Sequence, residues 1–504
     1  MASARYEITL AAVRGTDEDE IGIGKRGAKL RRDGESGRDV SSRAAGDDGD
    51  RALQRVTSIV YRGAAARRGR QMLLDDSSTN ADAQLPQPLT GVNAAVVTLG
   101  DLGRSPRMVY HAAALADAGA EVVLIGYDGS PLPRFVAGHA RVRVRRIPVA
   151  AARRDLPRPI ALAHAFARML GVAPHLARAL RASTRLDLIL IQNPPALPTL
   201  PIALAAARRR SAKLVVDWHN FGDAMLALSA GAHHPAVALA RWCERSLARR
   251  ADGHLCVSRA MRAVLAAEGS IDAEVLYDRP AAVFAPPAAG AREELLQRIG
   301  ESDVAGGRPT AIIVSPTSWT ADEDFDLLLD AVPQIAAAMK GRSSASPPRL
   351  LLVVTGDGPL RAGYAEPFHR ASTDSIALRS VWLEPDEYVR WLGAADLGLC
   401  LHRSASGVDL PMKIADLFGV GLPVCAFDYG PCLAERVRPG ENGLLFRGAA
   451  QLAAQLASLF GSFPTDTALL TALRLHVAAE ADVRWEAGWR REALPLFQRL
   501  AERG

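Results

Sequence analysis

Short runs of β-prone apolar residues, each closed by a glycine-rich or polar loop and followed by a helical repeat, recur along this chain from Asn93 to Ala426. No other feature restricts the fold as strongly, because strands that alternate with helices are joined by crossovers and come to lie parallel in one sheet. The first instance is the clearest. Ala94-Ala95-Val96-Val97-Thr98-Leu99 is a strand candidate, Gly100-Asp101-Leu102-Gly103-Arg104-Ser105-Pro106-Arg107 is a glycine loop, and Met108, His111, Leu115 and Ala118 carry helical spacing. Gly119-Ala120-Glu121 then leads into a second apolar run, Val122–Tyr127, so the opening is a parallel, right-handed βαβ unit.

Further strand candidates in this half are Leu188–Gln192, Leu214–Asp217, Gly253–Val257 and Glu274–Tyr277. Residues 284–309 are rich in Pro, Ala and Gly, and beyond them the alternation begins again. It runs through a strand at Ala311–Ser315, a helix at Asp322–Met339, strands at Leu350–Thr355, Ser380–Leu383 and Leu397–Leu401, a helix at Pro411–Gly419 and a strand at Pro423–Ala426. The expected class is α/β, with two Rossmann-like doubly wound parallel-sheet domains facing across a cleft, 91–285 and 310–482, joined by a linker at 286–309. The closing segment 483–504 is amphipathic, with Trp485, Trp489, Leu496 and Leu500 at helical spacing and Pro495 as a kink, and is expected to cross back to the first domain.

At 504 residues, 49% of them hydrophobic, the chain can bury two ordinary cores. Residues 1–90 stand apart, rich in Arg, Asp, Gly and Ser with little apolar periodicity, and are expected to form a disordered tail. Within it, Leu53–Tyr61 and the basic Ala64–Arg70 are candidates for a weak membrane or partner contact. With 61 basic against 55 acidic residues, the net charge of +6 is mild and does not point to nucleic acid. It equally suits anionic headgroups or a diphosphate-bearing substrate. The five cysteines are widely spaced and form no C-x-x-C pair, so a reducing compartment is expected. No window holds the roughly 18–20 apolar residues that span a bilayer, and the N-terminus lacks the apolar core of a secretory signal, so the catalytic body is expected in the cytosol.

The strongest single motif is Ser404–Gly419, a Ser- and Gly-containing loop running into a helix, followed by the strand Gly421-Leu422-Pro423-Val424-Cys425-Ala426. Backbone donors near a helix start favour anions, Lys413 adds a mobile charge suited to a diphosphate, and Asp416 can accept from ribose hydroxyls. The bland alternative makes Lys413 and Asp416 a surface pair and Asp409 a helix cap. With the flanking strand, the segment resembles the acidic donor-sugar motif of two-Rossmann glycosyltransferases, here with Asp409 and Asp416 as its two acids, and the resemblance implies that Ser406, Gly407, Asp409, Lys413 and Asp416 meet a nucleotide-sugar donor. Asp322-Glu323-Asp324 contains a D-x-D pattern, but Thr320-Ala321-Asp322-Glu323 fits a capping box, so a structural role is expected there. No His/Cys cluster with metal-ligand spacing occurs elsewhere.

Leu401–Lys413, which reads Leu-His-x-Ser-x-Ser-Gly-x-Asp-Leu-Pro-Met-Lys, resembles the chitobiosyldiphosphodolichol beta-mannosyltransferase family of two-Rossmann (GT-B) glycosyltransferases. Leu99–Met108, Gln192–Pro195, Asp217–Asn220, Val275–Pro280 and Thr317–Phe325 are similar to the same family, so the resemblance covers roughly residues 94–447. It implies GDP-mannose as donor and N,N'-diacetylchitobiosyl-diphosphodolichol as acceptor. It further implies inverting transfer of the first, β-1,4-linked mannose of the N-glycan precursor, on the cytosolic face of the endoplasmic reticulum membrane. Many members begin with a transmembrane anchor, which is not found in this sequence.

An inverting displacement needs a base for the acceptor hydroxyl and positive groups for the departing diphosphate. Asp101, at the carboxyl end of the first strand, is the first candidate base, with His219 and Asp217 of Asp217-Trp218-His219-Asn220 as alternates. Gly103, Arg104 and Arg107 are candidate phosphate or acceptor contacts, Ser318 and Gly356 are expected to approach the donor, and Glu435 its ribose. The structural alternatives stay open: Asp101 fastening its own turn, His219 packed, the arginines on a solvent-facing helical turn, and Glu435 a cap. Asp357 stands where relatives commonly carry lysine. Leaving-group stabilisation is expected from Lys, Arg and backbone amides, with no metal or other cofactor. Pro159–Ala182, with Ile160, Leu162, Phe166, Met169 and Leu170 among Arg168, Arg178 and Arg181, is a candidate membrane surface, to which Ala151–Arg154 and Arg208–Arg210 add charge. Other lipid-linked oligosaccharide transferases are further candidate partners. The competing functions are a GT-B transferase using another nucleotide sugar and an inactive paralogue that binds or scaffolds the lipid-linked sugar.

Overall fold

The computed structural model describes residues 87–149, 158–183, 185–287, 289–301, 308–340, 348–481 and 483–502. The expectations for the tail through residue 86, for its stretches 53–61 and 64–70, and for the basic 151–154 lie outside the described residues. Two parallel sheets organise the rest. The first contains β1 (Asn93–Asp101), β2 (Glu121–Tyr127), β3 (Val142–Ile147), β4 (Leu188–Asn193), β5 (Lys213–Trp218), β6 (Gly253–Cys256) and β7 (Glu274–Val275), in the order β3-β2-β1-β4-β5-β6-β7. The second contains β8 (Thr310–Pro316), β9 (Arg349–Thr355), β10 (Ile376–Val381), β11 (Leu397–Cys400), β12 (Val424–Phe427) and β13 (Gly443–Phe446), in the order β10-β9-β8-β11-β12-β13. In both sheets the strand order reverses next to the first strand, β1 or β8, and the carboxyl end of that strand is where an open α/β sheet receives its ligand.

Burial explains the strand composition. Every residue of β8 and β9 is buried, as expected of central parallel strands covered by helices on both faces. β3 lies at the sheet edge and alternates valine with half-exposed arginine, Val142-Arg143-Val144-Arg145-Arg146-Ile147, which blunts the edge against further pairing. β3 and β13 fall outside the strands expected from sequence. The strand expected at Ser380–Leu383 sits earlier, at β10: Ile376, Ala377 and Leu378 are buried and register with Leu350, Leu351 and Leu352, while Trp382 is 42% exposed. The Glu274–Tyr277 run pairs only through Glu274 and Val275.

The chain end belongs to the first domain's core. Helices Trp485–Glu492 and Leu494–Glu502 break at Ala493, one residue earlier than the proline would suggest by itself, so Pro495 occupies the tolerant first turn of the second helix. Trp485, Trp489, Leu496, Phe497 and Leu500 are buried with Leu115, Val122, Val215 and Leu255 of the first domain. Arg279 grips Glu492 through two bonds of 2.6 and 2.7 Å, fixing the returning helix to the segment after β7. Among the described residues no helix is long and apolar enough to cross a membrane.

Candidate active site

The loops at the carboxyl edges of the two sheets meet. Arg104, in the loop after β1, donates to the carbonyl of Asp357 in the loop after β9 at 3.3 Å. Ser258, after β6, donates to the carbonyl of Val408 in the loop before helix Met412–Gly419. Glu435 accepts from the amides of Arg259 and Ala260 at 2.8 and 2.9 Å and from the Tyr277 hydroxyl at 2.6 Å. The two domains are therefore joined at this edge through loop backbone and a few side chains, and Glu435, expected beside the ribose, fastens the domain seam.

Asp101 holds the first loop in shape. It accepts from Gly103 N at 3.0 Å, from Ser130 N at 3.0 Å and from Ser130 Oγ at 2.8 Å, so the loop after β2 is tied to the loop after β1. A Cβ on Gly103 would lie 2.5 Å from the Ser130 carbonyl oxygen, which is why glycine stands there. With these three donors on its carboxylate, Asp101 fastens its own loop, the structural alternative for that residue.

Arg107 also departs from expectation. It is 1% exposed, bonds both oxygens of Asp217 at 2.7 and 2.8 Å, and reaches Asp278 and the Leu276 carbonyl at 2.8 and 2.9 Å. A guanidinium with these partners cannot also meet a phosphate, because its position at the helix start points it inward, beneath the ends of β5 and β7. Burial alone would raise the Asp217 carboxyl, but the charge of Arg107 outweighs it and holds Asp217 well below the usual carboxylate range. Asp217 is thus no proton acceptor at neutral pH, and its role is to orient. His219 Nε2 lies 2.8 Å from Asp217 Oδ2, and since an ionised carboxylate only accepts, Nε2 is the donor, which makes Nδ1 the acceptor nitrogen of the neutral tautomer. His111 Nε2 approaches the same oxygen at 3.2 Å while its Nδ1 accepts from Trp489 Nε1 at 3.0 Å, so the returning helix also braces this cluster.

On the facing side, the loop after β8 and the loop after β9 interlock. Gly356 has φ +99° and a Cβ there would lie 2.0 Å from the Thr317 carbonyl oxygen, a spacing that only glycine permits. Ser318 is exposed at this junction, with its amide bonded to Glu323 Oε2 at 2.9 Å. Glu323 also receives Lys413 Nζ, and the pair is unequal: Glu323 is 2% exposed and Lys413 21%. The lysine therefore stands at the open end of a fixed buried acid.

Asp409 organises the Ser404–Gly407 loop. It accepts from Ser404 Oγ and from Ser406 Oγ at 3.1 Å, Ser404 Oγ accepts from Gly407 N at 2.7 Å, and Gly407 has φ +73°. His402 bridges Asp409 and Asp322 at 3.2 and 3.1 Å. Burial alone would lower the His402 imidazole, but the two carboxylates outweigh it and raise it to about 9, so it is a cation at neutral pH. Asp416 lies one helical turn on and accepts from the Tyr388 hydroxyl at 3.3 Å. Burial pushes its carboxyl up to about 8, and Asp278 across the seam adds to this although the Tyr388 bond works against it.

Three residues of this network were not expected from the sequence. The capping-box assignment fails by register: the helix begins at Phe325, and Asp324 Oδ1 caps it by accepting from Leu327 N at 2.9 Å. That releases Asp322 to His402 and Glu323 to Lys413. A signal was present in Leu401-His402, which opens the strongest motif. Asp357 pairs at 3.6 Å with Arg361 one turn later and so turns its charge away from the carbonyl that meets Arg104. Among the described residues no group of three or more His, Cys, Asp or Glu side chains is arranged to hold a metal.

Residues 103–277 match the family model described as glycosyl transferase 4-like domain, and residues 308–462 match that of glycosyl transferases group 1. Among solved structures, sucrose-phosphate synthase from Thermosynechococcus elongatus superposes with a TM-score of 0.60 at 17% identity, covering 82% of this chain and 100% of that one. WaaG, a glycosyltransferase of lipopolysaccharide biosynthesis, gives 0.54 at 14%, covering 79% of this chain and 98% of that one. These likenesses establish the GT-B fold. Among curated relatives, the UDP-glycosyltransferase TURAN of Arabidopsis thaliana is 37% identical over 81% of this chain and 97% of its own length. The chitobiosyldiphosphodolichol beta-mannosyltransferases of Mus musculus and Homo sapiens are each 36% identical over 80% of this chain, and over 88% and 92% of their own lengths. On this near full-length similarity, with the two matched domains, the chain is a glycosyltransferase and belongs to the chitobiosyldiphosphodolichol beta-mannosyltransferase family.

Proposed function

We propose that the protein transfers mannose from GDP-mannose to chitobiosyl-diphosphodolichol with inversion, forming the first β-1,4-linked mannose of the lipid-linked N-glycan precursor. The observation that carries this reading is the 36% identity, over nearly their whole length, to relatives named for that transfer. The geometry supplies a mechanism. The donor diphosphate lies against Lys413, Arg104 and the backbone of the Ser318, Gly356 and Ser406–Gly407 loops, where cationic and amide donors stabilise the charge that develops on departure. Asp416, protonated in part at neutral pH, offers a hydroxyl or an oxygen to the nucleotide. On the opposite side, His219 Nδ1 takes the proton of the acceptor hydroxyl as its oxygen attacks the anomeric carbon. The carbon–oxygen bond to the diphosphate breaks as the new glycosidic bond forms, and Asp217 stabilises the resulting imidazolium. No metal takes part in this scheme. The active face works at the cytosolic surface of the endoplasmic reticulum membrane, where other transferases of the pathway act on the same lipid.

The test is a donor panel with a chitobiosyl-diphosphate lipid, with and without EDTA, and digestion of the product by a β-mannosidase. Metal-independent, β-linked mannose from GDP-mannose is expected. A UDP-glycosyltransferase stands among the relatives, so the second reading is a UDP-sugar donor. Turnover with a UDP-sugar and none with GDP-mannose would replace the first reading with the second, and no turnover by folded protein with any donor would sink both.

A further inference from the structure

The segment that follows His219 leaves the first domain as a helical hairpin, Gly222–Ala230 and Pro235–Ala248, whose two helices pack on one another. Its outer surface is apolar to a degree unmatched elsewhere in the described residues. Leu228 is 67% exposed, Trp242 66%, Leu239 60% and Met225 50%. Exposed large side chains gathered on one small element, rather than scattered, mark a contact surface.

The charges of the hairpin say what it contacts. Its two acidic residues point inward: Asp223 is 3% exposed and Glu244 1%. Asp223 is paired with Arg241 at 2.7 Å, and Glu244 with Arg245 at 2.7 Å. Glu244 also receives Asn193 Nδ2 and Gly222 N at 2.7 and 3.0 Å, so it roots the hairpin to the end of β4. What remains outside on the hairpin itself is His233, His234, Arg241, Arg249 and Arg250, and the exposed carboxylate beside it is Glu268 of helix Arg259–Gly269, which pairs with Arg245 at 3.5 Å. Apolar side chains that include a tryptophan, on an element whose own exposed charges are all basic, fit the interface of a bilayer containing anionic phospholipid. Neighbouring helices agree: Thr199–Arg210 packs between Arg158–Arg181 and the hairpin, neither of those two helices contains an acidic residue, and Ile160 and Leu170 are 53% and 54% exposed.

We propose that this hairpin is the protein's bilayer-docking element and that, because Gly222 follows His219 by three residues, it sets the distance between the lipid–water interface and the acceptor hydroxyl. The second half rests on the proposed transfer; the first does not. The surface expected from sequence, Pro159–Ala182, becomes its flank.

The experiment uses the full chain and sedimentation with phosphatidylcholine vesicles, with and without phosphatidylserine. The wild-type protein binds, more tightly with the anionic lipid, and Leu228→Ser/Leu239→Ser/Trp242→Ser lowers partitioning by at least about tenfold while its melting temperature is retained. Brominated lipid quenches tryptophan emission of the wild type, and Trp242→Phe removes most of that quenching. Transfer to a short-chain, water-soluble acceptor is unchanged in the triple variant, whereas transfer to a vesicle-embedded acceptor falls. Absence of vesicle binding by the wild type, or equal binding by the folded triple variant, overturns the proposal. So does a dimer in solution that the triple substitution dissolves, since a second copy would then cover the face. Lost vesicle binding in a protein without mannosyl transfer would leave the docking element standing and remove only the reaction.

Discussion

In the first domain Arg107, Asp217 and Asp278 are 1%, 0% and 7% exposed, and their bonds close on one another. In the second domain Lys413, His402 and Asp322 are 21%, 13% and 36% exposed, each paired but each with one side to solvent. The contrast separates two uses of charge. Buried and fully paired, the first cluster cannot exchange partners, so it serves to hold His219 in one orientation. Less deeply buried, the second cluster can present the open side of Lys413 to an incoming diphosphate while the ammonium keeps its bond to the buried Glu323 beneath it.

Breaking the dry cluster is expected to have the largest effect. Asp217→Asn leaves Arg107 buried with one carboxylate fewer and should cost about 3–5 kcal/mol of stability, together with activity, in thermal melts and mannosyl-transfer assays. A melting curve equal to that of the wild type would break the contrast. Next, His219→Gln should lower kcat by about 10²–10⁴-fold with little change in melting temperature, because it removes the proton acceptor and leaves the ion pairs intact. Retained kcat would return the base to Asp101. Third, Lys413→Ala should raise the KM or Kd for the donor by about 10-fold or more and leave acceptor binding nearly unchanged, by titration of each substrate separately.

The pH dependence is the subtlest probe. His402 has its folded value raised to about 9, above that of the unfolded chain, so its contribution is complete below about 6.5 and is lost as pH rises through 9. Asp322 and Asp409 are held below the usual carboxylate range, so theirs is present above that range and lost on acidification. A denaturation series should therefore lose about 2 kcal/mol from His402 between pH 7 and 10, on top of the loss as Asp416 ionises through about 8, and His402→Gln should make that alkaline limb shallower. An unchanged limb in the variant would show that the bridge contributes nothing.

Much of the fold was legible because its determinants are local. The β1 run, its glycine loop and the following helix lie within 25 residues of one another, from Asn93 to Asp117, and the buried apolar strands of the second domain announce themselves in the same way. β3 was not, since an arginine-rich edge strand has no continuous apolar run, and β10 lies earlier than Ser380–Leu383 because Ile376, Ala377 and Leu378 pack beside β9 while Trp382 is left exposed. In the site, the Ser404–Asp416 motif was legible from loop chemistry. Arg107 was not: at the start of a helix it looks like a solvent-facing cation, and only the arrival of β5 and the segment after β7 beneath it supplies Asp217 and Asp278. Asp322 and Glu323 were read as a cap because a capping box is itself a local pattern, and the true cap lies at Asp324.

The sequence by itself determined two α/β halves, the loop-to-helix motif at Ser404–Asp416, and the family resemblance. Tertiary structure alone decided which charges are paired and which are free, because the partners lie far apart along the chain: 110 residues between Arg107 and Asp217, and 90 between Glu323 and Lys413. Periodicity and loop chemistry report on a residue's neighbours in sequence, whereas an ion pair, a base and its orienting acid are made by whatever the folded sheets bring to the same end.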